Sequence, residues 1–292
     1  MEKRSINYEK VLENIRKEVK EYISNANLKC IVCGISGGLD SGINAAILSP
    51  ICKELDIPFI GRYISIETNK KEERERADAV GNVFCTDYKR CNFTFLYKFI
   101  LPFFDKKSDK FVETDERAHK IRLGNIKARL RMIYLYHLAS KNKGLVLDND
   151  NLTERELGFW TINGDVGDLT PLSSLYKTEV YELARYIRDN SKEIQEKVAL
   201  DLLINAVPTD GLGITSSDVE QFGVSSYNEV DDILMSLLPY ENEGSKETFD
   251  KNKEKLYSKY SKEIVDNVWN RHKNSDFKRV LPHRVLFNVE EK

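Results

Sequence analysis

The spacing of hydrophobic residues divides the first part of the chain into alternating helices and strands. Apolar residues recur at intervals of three and four over residues 1–25, which predicts an amphipathic helix. Two short and almost wholly apolar runs, residues 28–35 and 57–66, predict buried strands, and residues 84–88 predict a shorter third strand. Helical segments fill the intervals between these strands. This order is typical of an α/β fold with a doubly wound parallel sheet flanked by helices.

The remainder of the chain is mainly helical in pattern. A long helix is predicted over residues 116–142, followed by a fourth strand over residues 145–149. Further helices are predicted over residues 173–190, 192–205, 216–222, 227–238 and 246–273. Because no internal repeat, low-complexity segment or linker interrupts the chain, we expect residues 1–292 to form a single domain. This domain would have an α/β core over residues 1–190 and a mainly helical C-terminal part over residues 191–292.

The composition limits which class of protein and which binding partners are expected. The chain has 292 residues, of which 41% are hydrophobic and 32% are charged, and this is enough to bury a sizeable core. A net charge of −2 provides no general attraction for nucleic acid. No stretch approaches the ~18 consecutive apolar residues of a membrane span, and the N-terminus lacks the apolar core of a secretion signal. We therefore expect a cytoplasmic protein without nucleic-acid or membrane partners.

The cysteines do not indicate a disulfide framework or a zinc site. There are five of them, which is an odd number, and no second Cys or His pair follows at zinc spacing. Cys30 and Cys33 form a C-x-x-C pattern within the first predicted strand. Residues three apart in a strand point to opposite faces, so we expect two buried, inert thiols.

A glycine-rich segment, GISGGLDSG at residues 34–42, joins the first predicted strand directly to a helix. Such a turn gathers backbone N–H groups at the positive end of a helix and is therefore an anion site. The segment has neither the lysine of a G-x-x-x-x-G-K-[ST] phosphate loop nor the spacing of a G-x-G-x-x-G dinucleotide loop. Asp40 would repel a phosphate unless a cation lay between them, so we interpret this aspartate as a ligand of Mg²⁺.

The S-G-G-x-D-S pattern within this segment resembles the PP-loop of the ATP pyrophosphatase superfamily. Members of that superfamily split ATP into AMP and pyrophosphate. The resemblance therefore implies that ATP is a co-substrate and that the loop holds the departing pyrophosphate. It also implies a fold of the adenine nucleotide alpha hydrolase-like type.

Three further stretches resemble the NAD synthetase family. They are GNIKARLRMIYLYHLA at residues 124–139, the segment from NLTE to ELARYI at residues 151–187, and VPTDGLGITSSDVEQFGVSSYNEVDDIL at residues 207–234. Enzymes of this family adenylate the nicotinate carboxylate of deamido-NAD, and ammonia then displaces AMP to give NAD. The resemblance implies an ammonia-dependent carbon–nitrogen ligase that uses Mg²⁺ and forms a homodimer. We expect the helix over residues 116–142 to contribute to the dimer contact.

The resemblance also implies roles for individual residues. The ATP phosphates would be held by Gly34, Ile35, Ser36, Gly37, Gly38, Leu39, Asp40 and Ser41. Further contacts to ATP would come from Asn149, Lys177 and Thr209. Contacts to deamido-NAD would come from Arg129, Asp168 and Lys278, and Mg²⁺ would be held by Asp40 and Glu154. The implied catalytic residues are Asp40, Lys177 and, near the site of amination, Asp165.

Some of these positions also have a plain structural interpretation. Glu154 suits the first turn of a helix, where the helix dipole favours an acid. Asp165 lies in an N-G-D segment that is typical of a turn. Arg131, next to Arg129 on a charged helix, could be a solvent-facing residue. The sequence alone leaves both interpretations open at these positions.

The chain departs from the family pattern near both expected substrates. Asp148 and Asn149, within LDNDN, replace a glycine and a threonine, Ile162 replaces a lysine, and Phe277 replaces a histidine. Two other functions therefore stay open. One is a diverged ligase of the same superfamily that amidates another carboxylate, and the other is a catalytically silent nucleotide-binding protein. No glutaminase module is recognisable in the sequence, so ammonia is expected from solution or from a separate protein.

Overall fold

The alternation of strands and helices predicted for the first part of the chain is present in a computed structural model of the protein. The structure describes residues 4–67, 70–104, 115–207, 219–220, 223–241 and 246–281. The first elements are α1 (Tyr8–Asn25), β1 (Ile31–Gly34), α2 (Leu39–Glu54), β2 (Phe59–Ser65), α3 (Lys71–Phe84) and β3 (Asp87–Asn92). The predicted order of these elements is therefore confirmed.

Among the described residues, four strands form one parallel sheet in the order β3, β2, β1, β4, where β4 is Leu145–Val146. Ile31 in β1 lies opposite Phe59 in β2 on one side and opposite Leu145 in β4 on the other. The strand order therefore reverses between β1 and β4. In open α/β sheets, ligands bind beyond the carboxyl ends of the strands at such a reversal. The doubly wound parallel sheet is confirmed. We therefore expect a ligand site beyond the carboxyl ends of β1 and β4.

Helices make up most of the chain after β3. They are α4 (Thr94–Phe104), α5 (Glu116–Lys141), α6 (Leu152–Glu156), α7 (Lys177–Asn190), α8 (Ile194–Ile204), α9 (Tyr227–Leu237), α10 (Lys246–Lys259), α11 (Lys262–Asn274) and α12 (Asp276–Arg279). A 3₁₀ helix, Leu238–Tyr240, follows α9. The helix predicted over residues 216–222 lies almost wholly outside the described residues. No helix in the described ranges is both long and apolar enough to cross a membrane.

The boundaries of several elements differ from the prediction, and three of these differences bear on the fold. The single helix predicted over residues 246–273 is interrupted, because Ser261 caps the start of α11 by accepting a hydrogen bond from the N–H of Ile264 (3.3 Å). The third strand begins at Asp87 and not at Phe84. Phe84 is instead the last residue of α3, and its side chain is buried in the core. The fourth strand is shorter than predicted, since Leu147 makes only an isolated bridge beyond β4. The chain then leaves the sheet and enters the LDNDN segment.

The main hydrophobic core fills the space between the sheet and helices α1, α2, α3, α7 and α8. Cys33 belongs to this core, whereas Cys30 belongs to a smaller cluster on the α5 side of the sheet. The prediction that the two thiols point to opposite faces is confirmed. Burial raises the pKa of Cys30 to about 11, which keeps this thiol protonated and unreactive near neutral pH.

Helices α9, α10 and α11 form a second cluster around Leu234 and Trp269. Leu157 and Tyr176, from segments beside the sheet, belong to the same cluster. Leu157 follows α6 directly, and Tyr176 precedes α7 directly. The C-terminal helices therefore pack against the residue that follows α6 and the residue that precedes α7.

Candidate functional site

The glycine-rich segment forms a tight turn between β1 and α2. The hydroxyl oxygens of Ser36 and Ser41 lie 3.1 Å apart, and the N–H of Gly38 donates to Ser36 Oγ (3.1 Å). Gly37 has a φ of 83°, and a Cβ atom there would lie 2.1 Å from the carbonyl oxygen of Glu73 in α3. Only glycine combines this backbone conformation with so close a contact. The turn is therefore fixed by its own hydroxyl groups and by α3.

A cavity of about 290 Å³ lies beyond the carboxyl ends of β1 and β4. Every residue of the predicted loop from Gly34 to Ser41 lines it, except Gly37. Other predicted site residues on its wall are Asn149, Glu154, Asp165 and Lys177. The two groups meet because β1 and β4 are neighbours in the sheet, although Gly34 and Asn149 are 115 positions apart in the chain.

Three charged side chains meet on the wall of this cavity. Lys177 Nζ, at the start of α7, lies 2.5 Å from Asp40 Oδ2 in α2 and 3.0 Å from Glu154 Oε1 in α6. Asn151 Nδ2 donates to the other oxygen of Asp40, Oδ1 (2.9 Å). The Lys177 side chain is only 4% exposed, and its ammonium group balances two carboxylates that would otherwise repel each other in a poorly hydrated place.

The same two carboxylates fit Mg²⁺. They are hard oxygen donors, and they already converge on one cationic group. Mg²⁺ in proteins is commonly bound by one or two carboxylates, while substrate phosphates and water complete its octahedron. Within the described ranges, no group of three or more His, Cys, Asp or Glu side chains could hold a metal ion alone. Asp40 and Glu154 could therefore hold a Mg²⁺ ion whose other ligands are phosphate oxygens and water.

Glu154 and Asp165 each have the structural role that the sequence left open, in addition to their place at the cavity. Glu154 Oε2 accepts a hydrogen bond from the N–H of Asn151 (3.3 Å) in a capping box, while Oε1 faces Lys177. Asp165 Oδ1 accepts from the N–H of Thr161 (2.7 Å) within a turn. Burial raises the pKa of Asp165, so this carboxylate takes up a proton more readily than an exposed aspartate.

The unusual LDNDN segment is built into the framework of the site. Asn149 Nδ2 donates to the carbonyl oxygen of Gly34 (3.2 Å), and Asn149 Oδ1 accepts from Asn44 Nδ2 in α2 (3.1 Å). This amide connects the end of β1 with α2 while it lines the cavity. Asp148 is buried, and its Oδ1 accepts from the N–H of Asp150 (3.0 Å). Burial raises the pKa of Asp148 to about 6.

A second cavity, of about 340 Å³, adjoins the first. Lys278 and Trp160 line it, and Lys278 Nζ donates to the carbonyl oxygens of Gly158 (2.7 Å) and Trp160 (2.5 Å). In the described part of the chain, Asp150 alone lines both cavities. The two cavities therefore meet at the Asp150 side chain.

Two other residues predicted to contact a substrate, Arg129 and Asp168, line neither cavity. Arg129 is exposed, and its Nη2 donates to the carbonyl oxygen of Ile162 (2.9 Å). Both carboxylate oxygens of Asp168 already accept hydrogen bonds, one from the hydroxyl of Tyr136 (3.0 Å) and one from a backbone N–H in β4 (2.9 Å). Thr209 lies outside the described residues. The structure thus gathers the predicted loop, metal and catalytic residues in one place, but not Arg129 and Asp168.

Several side chains that shape the site were not predicted as site residues from the sequence, namely Arg76, Arg131, Asn151, Thr153, Tyr227 and Asp231. Arg76 Nε donates to the carbonyl oxygen of Gly37 (2.8 Å), and this arginine lines the first cavity. Arg131 also lines this cavity, with Nε donating to the carbonyl oxygen of Ile64 (3.0 Å), so it is not a solvent-facing charge. Asn151 could have been predicted from the sequence, because an asparagine three residues before a glutamate indicates a capping box.

Comparison with known proteins identifies the family of the chain. The family model of NAD synthase matches residues 11–282. The chain is 34% identical over 248 residues to the NH(3)-dependent NAD(+) synthetase of Finegoldia magna, which covers 84% of this chain and 91% of that protein. It is 31% identical over 277 residues to the protein of the same name from Thermoplasma volcanium, which covers 94% of this chain and 97% of that protein.

Solved structures share the fold at lower sequence identity. NMN synthetase from Francisella tularensis has a TM-score of 0.74 at 22% identity, covering 97% of this chain and 100% of that chain. NH3-dependent NAD synthetase from Campylobacter jejuni has a TM-score of 0.68 at 22% identity, covering 96% of this chain and 100% of that chain. These likenesses confirm the predicted fold class. The family model and the two relatives show that the chain belongs to the NAD synthase family, as its motifs predict.

Proposed function

We propose that the protein is an ammonia-dependent NAD synthetase, which uses ATP and ammonia to convert deamido-NAD into NAD, AMP and pyrophosphate. The observation that supports this most is the meeting of Asp40, Glu154 and Lys177 beside the phosphate loop, on a chain of the NAD synthase family. The two relatives compared above are themselves named NH(3)-dependent NAD(+) synthetases. ATP as co-substrate follows from the family.

The first cavity suits the phosphates of ATP. The loop lies at the start of α2, where the helix dipole and the unpaired N–H groups favour an anion. Asp40 and Glu154 would hold Mg²⁺, which supplies the positive charge that phosphates need beside two carboxylates. Lys177 adds a second positive charge on the same wall. A metal held by Asp40 and Glu154, together with Lys177 from outside the loop, would thus supply the positive charge of the lysine that this loop lacks.

The second cavity suits the acceptor. A carboxylate is a poor electrophile until adenylation gives it AMP as a leaving group, so the acceptor carboxylate must meet the α-phosphate of ATP. The two cavities meet at Asp150, which gives such a meeting point. Lys278 Nζ lies 5.2 Å from the centre of the Trp160 ring in the second cavity. A positive charge beside an aromatic ring suits nicotinate, which combines a carboxylate with a ring.

Asp165 is the candidate base for the amination step. When ammonia attacks the acyl-adenylate and expels AMP, the new amide nitrogen must lose one proton. Asp165 lines the first cavity, and burial raises its pKa from the ordinary range of an aspartate. A base whose pKa is closer to neutrality accepts a proton more effectively at neutral pH.

The two alternative functions are not favoured. A silent nucleotide-binding protein has no need for two carboxylates and a lysine that converge at a phosphate loop. The case for a different acceptor began from the departures at Asn149, Ile162 and Phe277. Phe277 is 60% exposed and lines neither cavity, and Asn149 keeps a polar amide on the cavity wall. These departures therefore leave the two cavities equipped for the proposed reaction.

A product assay tests the proposed function directly. Purified protein is incubated with ATP, Mg²⁺ and ammonium, with deamido-NAD, with the smaller acceptor nicotinate mononucleotide, or with no acceptor. We expect NAD and pyrophosphate in equal amounts with deamido-NAD, and little pyrophosphate without an acceptor. Pyrophosphate release that ignores deamido-NAD would rule out the proposed reaction. Faster amidation of nicotinate mononucleotide would assign the smaller acceptor instead.

We also propose that the protein is a homodimer whose contact includes α4 as well as the predicted α5. Phe95, Phe99 and Phe103 recur every four residues on one face of α4 and are 83%, 62% and 64% exposed. On α5, Ile133 is exposed as well. Exposed apolar side chains on one helix face are typical of an interaction site, and we propose that a second copy of the chain covers them.

Replacing Phe99 with aspartate should convert the dimer into a monomer in sedimentation experiments, because it places an unpaired charge in the contact. Ile194→Asp is the matched control, since Ile194 is an even more exposed apolar residue on the separate helix α8. This control should stay dimeric. A wild-type monomer, or a dimer that persists in Phe99→Asp, would contradict the proposed contact.

A further inference from the structure

The third family-like stretch contains a Y-x-x-x-D motif, Tyr227 and Asp231, to which the proposed function assigns no role. The two residues are four positions apart at the start of α9, so they lie on one face of this helix. Both are buried, and Asp231 is only 1% exposed. Helix α9 packs against α6 and α7, the helices that contain Glu154 and Lys177.

Asp231 completes the N-terminal end of α7. The first backbone N–H groups of a helix have no partner within the helix. The N–H of Thr178 donates to Asp231 Oδ2 (2.8 Å). The N–H of Lys177 donates to the hydroxyl of Thr153 in α6 (2.8 Å), and that hydroxyl donates to Asp231 Oδ1 (2.6 Å). One carboxylate thus connects the starts of α6 and α7.

These contacts control where two charged groups of the site lie. The residues that Asp231 binds are the immediate neighbours of Glu154 and Lys177 in the sequence. A shift in the contacts of Asp231 would therefore change the 3.0 Å distance between Glu154 Oε1 and Lys177 Nζ. Tyr227 acts at the other end of the lysine, since Lys177 Nζ lies 5.3 Å from the centre of its ring. Helix α9 thus contacts both the backbone and the ammonium group of Lys177.

A buried carboxylate is a costly way to cap a helix. Removing it from water is unfavourable unless it is paired, and none of the ion pairs in the described ranges includes Asp231. Burial raises the pKa of Asp231 to about 6, against the opposing effect of the hydrogen bonds from Thr153 and Thr178. A neutral asparagine or serine also caps a helix. What a carboxylate adds is two short, strong hydrogen bonds, which favour a fixed geometry.

We infer that Tyr227 and Asp231 are positioning residues, which hold Lys177 and Glu154 in the arrangement that ATP and its metal require. The inference rests on the proposed function, because it assumes that Lys177 and Glu154 act on the phosphates of ATP. Asp231 acts through Thr153 and the backbone of α7, and Tyr227 acts through the ammonium group.

Asp231→Asn is the main test. Asparagine keeps the size of the side chain, but it can no longer accept hydrogen bonds from both Thr153 and Thr178. We expect the KM for ATP to rise by about tenfold, as for the loss of a charged hydrogen bond, with a much smaller change in the KM for deamido-NAD. Asp232→Asn is the matched control. Asp232 is the next residue of α9, and it accepts hydrogen bonds from Lys259 and Tyr260, away from the site.

Two further measurements separate positioning from folding and from the proposed function. A merely structural cap would lower the unfolding temperature and the active fraction, and so reduce kcat without changing the KM for ATP. Calorimetric binding of ATP and Mg²⁺ needs no turnover. A wild-type protein that binds ATP but makes no NAD would refute the proposed function, while the Asp231 comparison would still hold. Wild-type ATP affinity and KM in Asp231→Asn would overturn the inference.

Variants at the partner residues keep the inference testable if Asp231→Asn does not fold. Thr153→Val removes the linking hydroxyl at nearly constant shape and should raise the KM for ATP. Combined with Asp231→Asn, its effect should be less than multiplicative, because both remove one connection. Tyr227→Leu should weaken ATP binding more than Tyr227→Phe, which keeps the aromatic face. Fully multiplicative effects, or equal effects of leucine and phenylalanine, would contradict the inference.

Discussion

Replacing Asp40 with alanine is expected to reduce NAD formation by about a thousandfold or more, which corresponds to several kcal/mol of transition-state stabilisation by the metal. Asp40 is the one residue of the loop that bears a charge, and it contacts both Lys177 and Asn151. Without it, Mg²⁺ would lose one of its two proposed ligands, and Lys177 would lose one of its two carboxylate partners. The phosphates would then lack an aligned cation. The measurement is the rate of NAD and pyrophosphate formation at saturating ATP over a range of Mg²⁺ concentrations.

Two controls make the Asp40 result specific. Glu54→Ala removes an acid from the other end of α2, where it forms an exposed ion pair with Lys20 that is expected to contribute little. This variant should keep wild-type activity. Asp40→Asn preserves size but removes the charge, and it should need much more Mg²⁺ for any residual turnover. Substantial activity of Asp40→Ala at ordinary Mg²⁺ concentrations would refute the metal role.

Replacing Lys177 with methionine is expected to reduce pyrophosphate formation by about a hundredfold or more, comparable to the loss of one preorganised charge or donor at a transition state. It should also lower the unfolding temperature without Mg²⁺. Methionine fills a similar space but leaves the carboxylates of Asp40 and Glu154 close together without the ammonium group. Mg²⁺ would then take over its role. Added Mg²⁺ should therefore raise the unfolding temperature of the variant more than that of the wild type.

Thermal unfolding with and without MgCl₂, together with the pyrophosphate assay, checks this result. Lys192→Met is the control, because Lys192 is an exposed lysine just beyond the end of α7. It should respond to Mg²⁺ as the wild type does. An equal or smaller Mg²⁺ effect in Lys177→Met would show that Asp40 and Glu154 do not form a metal site.

The sequence predicted the order of elements well where burial leaves a strong pattern. Both β1 and β2 are central strands, and their almost wholly apolar sequences are easily recognised. By contrast, β3 lies at the edge of the sheet with the sequence DYKRCN, so little apolar surface marks its position. The two-residue strand β4 is too short to give a period at all. Strands that are half exposed or very short therefore leave the weakest pattern in the sequence.

The site was predictable to the extent that sheet topology determines it. A loop after one strand and an acidic segment after its neighbour must meet at the same edge of a parallel sheet, and Gly34 and Asn149 do so. The contact of Lys177 with both carboxylates depends on how α7 packs against α2 and α6, which no local pattern encodes. The same holds for Asp231, whose partner Thr153 is 78 positions away. Such contacts become visible only when the helices are placed in space.

The boundary that Asp150 forms between the two cavities has a consequence for binding thermodynamics. Burial and the neighbouring carboxylate of Asp148 raise the pKa of Asp150 well above its ordinary value, so its protonation responds to any charge brought to either side. Charge brought into one cavity is therefore expected to change the affinity of the other cavity for its ligand. If an acceptor changes the affinity for ATP by some factor, ATP must change the affinity for the acceptor by the same factor. This reciprocity holds for any two linked sites, and Asp150 is the contact through which we expect the two cavities to be linked.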